Sequence, residues 1–162
     1  MAPANAIRRH PFVEQRMKDI EKWSETSGVN KIEDAGAKVG IITSSTSYQY
    51  VKEVLGNSVN ILKLGMVNPL PGDMIRKFAN GLEKLIVVEE LDPVIENFVR
   101  SLGLTCEIHG KDMFPICGEF SQNILAAAFG KEVPAGTKLD TAIPVRPPIM
   151  CAGCPHRGMF KA

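Results

Sequence analysis

Lys38-Val39-Gly40-Ile41-Ile42-Thr43, followed without a break by Ser44-Ser45-Thr46-Ser47, sets the architecture of the chain. A short apolar, β-branched run bounded by small polar residues reads as a strand buried on both faces. The hydroxyls behind it are placed to cap a helix. Tyr48, Val51 and Leu55 continue that helix at helical spacing, and Gly56 stops it.

The unit then repeats. Val59 to Leu64 reads as a second strand. Pro71 opens a helix with Met74, Ile75 and Phe78, closed by Gly81. Leu82 to Val88 reads as a third strand. Asp92 is expected to cap, and Pro93 to open, a helix whose face is Val94, Ile95, Phe98, Val99 and Leu102. Leu104 to Ile108 reads as a fourth strand. Ser121 is expected to cap a last helix with Ile124, Leu125, Ala128 and Phe129, ended by Gly130. Apolar strands alternating with amphipathic helices predict an α/β fold: a three-layer sandwich, its mostly parallel sheet covered by helices on both faces. Strand order stays open, because periodicity carries no pairing information.

Upstream, residues 10–26 read as an amphipathic helix. Pro11 suits its first turn, and Phe12, Val13, Met17, Ile20 and Trp23 form one apolar face. A turn is expected at Glu33-Asp34-Ala35-Gly36. Downstream, Pro134, Pro144, Pro147 and Pro148 break any regular pattern between Lys131 and Met150, which reads as an extended linker. The expected organisation is a helical connector over 1–30, the α/β domain over 31–130, and over 131–162 a linker with the truncated start of another domain.

The balance of charge bounds the partners. A net charge of +1 in 162 residues offers nothing to a nucleic acid or an anionic membrane surface. No apolar run approaches the length that spans a bilayer. Met1 to Arg9 lacks the apolar core of a secretory signal, so a cytoplasmic location is the expectation.

Four cysteines, Cys106, Cys117, Cys151 and Cys154, sit in a chain too rich in core to need disulfide staples. Cys151 and Cys154 are the strongest local signal. Two thiols at this spacing on a turn can ligate one zinc or one iron of a cluster, or form a dithiol redox couple. They can equally be two inert thiols on a tail. His156 beside them is a candidate cofactor contact. Glu89, Glu90 and Asp92 follow the third strand, where open α/β sheets bind ligands, but helix capping explains them better. Capping is also the preferred reading of Ser44 to Ser47, which lack the glycines and lysine of a phosphate loop. Gly72-Asp73-Met74 begins like a Gly-Asp-Gly magnesium motif and departs from it at the third position. His10 is placed at a helix start and His109 in a turn after a strand.

Arg146-Pro147-Pro148-Ile149-Met150-Cys151-Ala152-Gly153-Cys154-Pro155-His156-Arg157-Gly158 closely resembles the segment opening the thiamine-diphosphate domain of indolepyruvate ferredoxin oxidoreductase alpha subunits. Further stretches resemble the same family in order along the chain. They include Pro3 to Pro11, Ile41 to Val51, Lys63-Leu64-Gly65, Pro69-Leu70-Pro71 and Val88-Glu89-Glu90-Leu91-Asp92-Pro93.

That resemblance implies a transketolase C-terminal-like domain, set between two thiamine domains and followed by a ferredoxin-like one. Such domains often carry one antiparallel edge strand. It implies a parent enzyme that oxidatively decarboxylates aryl 2-oxo acids to acyl-coenzyme A. Ferredoxin is the electron acceptor, and a beta subunit completes the enzyme. The parent's cofactors would be thiamine diphosphate, magnesium and iron–sulfur clusters, with none expected in this piece. In related oxidoreductases a Cys-x-x-Cys near this point supplies two cluster ligands, which implies that role for Cys151 and Cys154. Pro155 stands where those relatives have glycine. His156 would lie near the thiamine. No catalytic residue is expected, and the isolated piece should be inert. The competing reading is a free-standing α/β binding or interaction module with a metal or redox site at Cys151 and Cys154.

Overall fold

In the computed structural model the described residues are 3–137, 142, 144 and 149–161. Helix α1 spans Pro3–Ser24, β1 Lys31–Glu33, β2 Val39–Ser44, α2 Ser47–Leu55 and β3 Asn60–Leu64. They are followed by α3 Gly72–Ala79, β4 Lys84–Val88, α4 Val94–Ser101, β5 Glu107–His109, α5 Gln122–Ala128 and α6 His156–Lys161. The five strands form one sheet in the order β1-β3-β2-β4-β5. β3, β2, β4 and β5 run parallel, and β1 pairs antiparallel with β3.

Side chains alternate across this sheet, so each central strand feeds two cores. Ile42, Leu62, Leu85 and Val87 point to one face, where α3 and α4 cover them with Ile75, Phe78, Ile95 and Val99. Ile41, Ile61, Ile86 and Val88 point to the other, under Val51 and Leu55 of α2 and Leu125 of α5. Helices therefore lie on both faces of a mostly parallel sheet, the three-layer sandwich expected. Burial on both faces is why β2 and β4 read as continuous apolar runs.

Several local expectations are corrected. The first helix begins at Pro3, where a missing N–H costs nothing, and Pro11 lies inside it rather than in its first turn. Much of its apolar face is uncovered: Phe12 is 69% and Trp23 56% exposed, while Met17 and Ile20 are half-buried. The turn expected at Glu33 starts one residue later, because Lys31-Ile32-Glu33 forms the edge strand. The fourth strand begins at Glu107, leaving Cys106 before it and only half-buried. His10 sits within α1, 3.5 Å from Glu14 one turn on.

Helix capping also differs. No side-chain cap is made at Thr46, Pro93 or Ser121. Glu89, at the end of β4, performs the task assigned to Asp92. Its two oxygens accept the N–H groups of Ile95 at 2.8 Å and Glu96 at 2.9 Å. A carboxylate against the first turn of a helix meets both its orphan donors and its positive dipole end.

Among the described residues, no helix is long and apolar enough to cross a membrane.

Candidate functional site

The chain leaves β2 through α2 on one face and leaves β4 through α4 on the other. Where neighbouring parallel strands diverge in this way, a crevice opens at their carboxyl ends. Here it is a cleft of about 370 Å³ between Ser44 to Ser47 on one side and Glu89 to Asp92 on the other. Ser45 (φ 51°) and Leu91 (φ 58°), one at each wall, both hold the left-handed backbone that non-glycine residues seldom adopt. Glu89 is occupied by α4, and Glu90 accepts the Phe120 N–H at 3.4 Å. The rim carries exposed Val67, Leu91 and Val94. Carboxylates on an apolar lip repel an anion, so this cleft is not built as a phosphate cradle.

Both sequence-predicted cysteines stand on one turn. The Cys154 N–H donates to the Cys151 carbonyl at 3.1 Å, and Gly153 takes φ 84° to close it. Only glycine reaches that backbone without strain. Cys151 is exposed and Cys154 half-buried. His156 joins them, its Nδ1 3.4 Å from Cys154 Sγ. The Arg157 N–H donates to the Cys154 carbonyl at 3.1 Å, leading the chain into α6. Ile149, Met150, Met159 and Phe160 around this turn are exposed. Among the described residues, no three His, Cys, Asp or Glu side chains gather where a metal ion would sit. Two thiols on a turn fit half of a four-thiolate set. Cys106 and Cys117 belong to other parts of the structure, the first before β5 and the second on an exposed loop.

Gly72-Asp73-Met74 forms the first turn of α3. The Asp73 N–H donates to Glu25 at 3.0 Å, and its carboxylate accepts from Arg76 at 3.2 Å. That segment is an ordinary capped helix start.

One polar cluster had no counterpart in the sequence reading. His109 ends β5, with Nδ1 2.5 Å from Asp112 and Nε2 3.0 Å from Glu107, the latter outside hydrogen-bond geometry. The imidazole and then the Gly110 N–H hold the Asp112 carboxyl below its ordinary value. Beside it, buried Glu96 binds Arg100 at 2.9 Å and the Lys111 N–H at 2.8 Å. Lys111 Nζ returns to the Glu89 carbonyl at 2.6 Å. These contacts tie the α4 start to the loop after β5, which is a structural task. The i,i+3 spacing of His109 and Asp112 was their one sequence signal.

Comparisons with known proteins bear on the chain as a whole. Indolepyruvate oxidoreductase subunit IorA of Thermococcus kodakarensis is 38% identical over 99% of the chain. The chain is a homologue of one segment of that subunit. The subunit IorA of Pyrococcus horikoshii is likewise 38% identical over 99% of the chain, and that of Archaeoglobus fulgidus 35%. In each case the chain spans only 28% of the relative's own length. Among solved structures, the 2-oxoglutarate:ferredoxin oxidoreductase of Magnetococcus marinus superposes with a TM-score of 0.54 at 20% identity. That match covers 80% of this chain and 23% of the other, and it shows the shared fold. No protein-family profile matches the chain.

Proposed function

We propose that this chain is the transketolase C-terminal-like domain of an indolepyruvate oxidoreductase alpha-type subunit. The observation that carries the reading is the 38% identity to such subunits along 99% of the chain. On this reading residues 1–30 are a helical connector from a preceding thiamine domain. Residues 31–130 are the α/β domain, and 131–162 lead into the domain that holds the thiamine diphosphate. The full enzyme converts aryl 2-oxo acids such as indolepyruvate to acyl-coenzyme A, with ferredoxin as acceptor and a beta subunit as partner, in the cytoplasm.

The domain's contribution is mechanical. A sheet with two covered faces is a rigid support, and rigid elements hold catalytic groups better than loops do. The exposed apolar residues of α1 and of the 149–161 segment are the surfaces by which it would pack against the thiamine domains. Cys151 and Cys154 would supply two thiolate ligands to an iron–sulfur cluster, the others coming from elsewhere in the subunit. A cluster there would supply one-electron transfer. His156, held beside Cys154, would face the thiamine. On this reading thiamine diphosphate and magnesium belong to the neighbouring domains, and this piece is inert by itself.

The test is an assay of the whole gene product with its beta subunit. Coenzyme-A-dependent viologen reduction is expected with indolepyruvate, at higher kcat/KM than with 2-oxoglutarate. The isolated 162-residue chain should show no turnover. Turnover by the isolated chain, or a preference for the dicarboxylic acid, would overturn the corresponding part.

A further inference from the structure

We infer that Cys151 and Cys154 are a reversible dithiol–disulfide pair. The proposal concerns the same two sulfurs as the cluster reading but does not rest on it. It stands on the turn itself.

A backbone bond from the Cys154 N–H to the Cys151 carbonyl, 3.1 Å long, is the i to i+3 bond of a β-turn. Such a turn holds its end Cα atoms within about 7 Å. A disulfide needs a Cα separation of about 4.4–6.8 Å, so the backbone already supplies the approach that unlinked cysteines lack. Gly153 at φ 84° makes the turn with no side-chain strain. Burial differs in the useful direction: Cys151 is exposed and open to a small oxidant, and Cys154 is half-buried. His156 Nδ1 lies 3.4 Å from that second sulfur, Cys154 Sγ. The other two cysteines lack a partner on their own turn. Cys117 is exposed with no second thiol at this spacing, and burial pushes the Cys106 thiol up.

The chemistry is thiol–disulfide exchange with a low-molecular-weight disulfide as oxidant. The Cys151 thiolate attacks one sulfur of the reagent. An S–S bond to Cys151 forms, the reagent's bond breaks, and one small thiolate leaves. The Cys154 thiolate then attacks the Cys151 sulfur and expels the second small thiolate. Both protons end on the released thiols. The protein dithiol loses two electrons and the reagent gains two. A linked pair cannot ligate metal, so oxidation would close this site to a cluster.

The experiment uses the full chain with chelator present, incubated with mixtures of oxidised and reduced glutathione, then alkylated, digested and weighed. The fragment carrying both cysteines should lose two hydrogens, resist alkylation, and regain both on reduction. Cys117 should instead gain glutathione. In Cys154→Ser the ring cannot close, and Cys151 should retain glutathione. Closure should be slower in urea, where the turn is lost. Glutathione on both Cys151 and Cys154, both thiols free after Cys117 has reacted, or equal closure rates in urea would overturn the proposal. Unchanged iron and labile sulfide in the full-length subunit when either cysteine is replaced by serine would count against the cluster reading alone.

Discussion

Glu89 grips the start of α4 through Ile95: one carboxylate oxygen accepts the Ile95 N–H at 2.8 Å while the other takes the Glu96 N–H. The strand end caps the helix across a turn, and Asp92, two residues before the helix, does not. The two roles separate by substitution. Glu89→Ala should lower stability by about 2 kcal/mol, since two buried donors lose their acceptor. Asp92→Ala should stay within about 0.5 kcal/mol of the parent, as exposed surface changes do. Urea midpoints of the two variants decide the matter, and equal losses would return the cap to Asp92.

Gly65 follows β3 where its backbone lies against the segment before β1. A Cβ there would overlap the Val29 carbonyl oxygen. Asn30 locks the same contact, accepting the N–H groups of Gly65 at 3.0 Å and Met66 at 3.2 Å. Gly65→Ala should therefore cost about 1–3 kcal/mol, the range for overpacking against atoms that cannot yield. Thermal unfolding checks it. Gly136→Ala, with nothing within 4 Å, is the neutral control.

Acid sensitivity should come partly from Glu33. The Lys52 ammonium at 2.8 Å, then the Tyr48 hydroxyl, hold its carboxyl below the ordinary glutamate value. A carboxyl depressed on folding contributes stability that is fully present above its unfolded value, roughly 4.3. That contribution is lost as pH falls through the folded value. Glu33→Gln should cost at most about 1 kcal/mol at neutral pH, because the pair is partly exposed. The gap between parent and variant should shrink toward pH 3. Urea midpoints at both pH values test this, and a gap that widened in acid would contradict it.

Cys151 and Cys154 should behave alike toward iron in the full-length subunit. Either Cys→Ser change should remove one cluster's iron and sulfide while leaving any ferredoxin-type clusters in place. Iron and labile sulfide counts report this directly. Unchanged counts in both variants would release the pair from ligation.

The sequence displayed what burial on two faces writes into it. Ile41, Ile42, Leu85 to Val88 and the glycine-stopped helices between them were readable because each is locally complete. β1 was not, since Lys31-Ile32-Glu33 offers a single apolar residue, itself 48% exposed, and is a strand only through β3. The Glu89 cap was hidden for the same reason: capping rules look at adjacent residues, and this acceptor arrives from a strand end. Strand order depends on pairing between distant segments. At the candidate site, spacing gave the Cys151–Cys154 turn and its neighbour His156. Spacing alone names no further group beside them.

On the proposed function, these residues are one domain of an indolepyruvate oxidoreductase subunit. The nucleotide sequence on either side of the codons for the 162 residues tests this most directly. The expected result is an open frame running past Ala162 into a Gly-Asp-Gly magnesium motif and then ferredoxin-type cysteine runs. A stop codon immediately after Ala162 would contradict it and leave a free-standing α/β module whose chemistry is confined to Cys151 and Cys154.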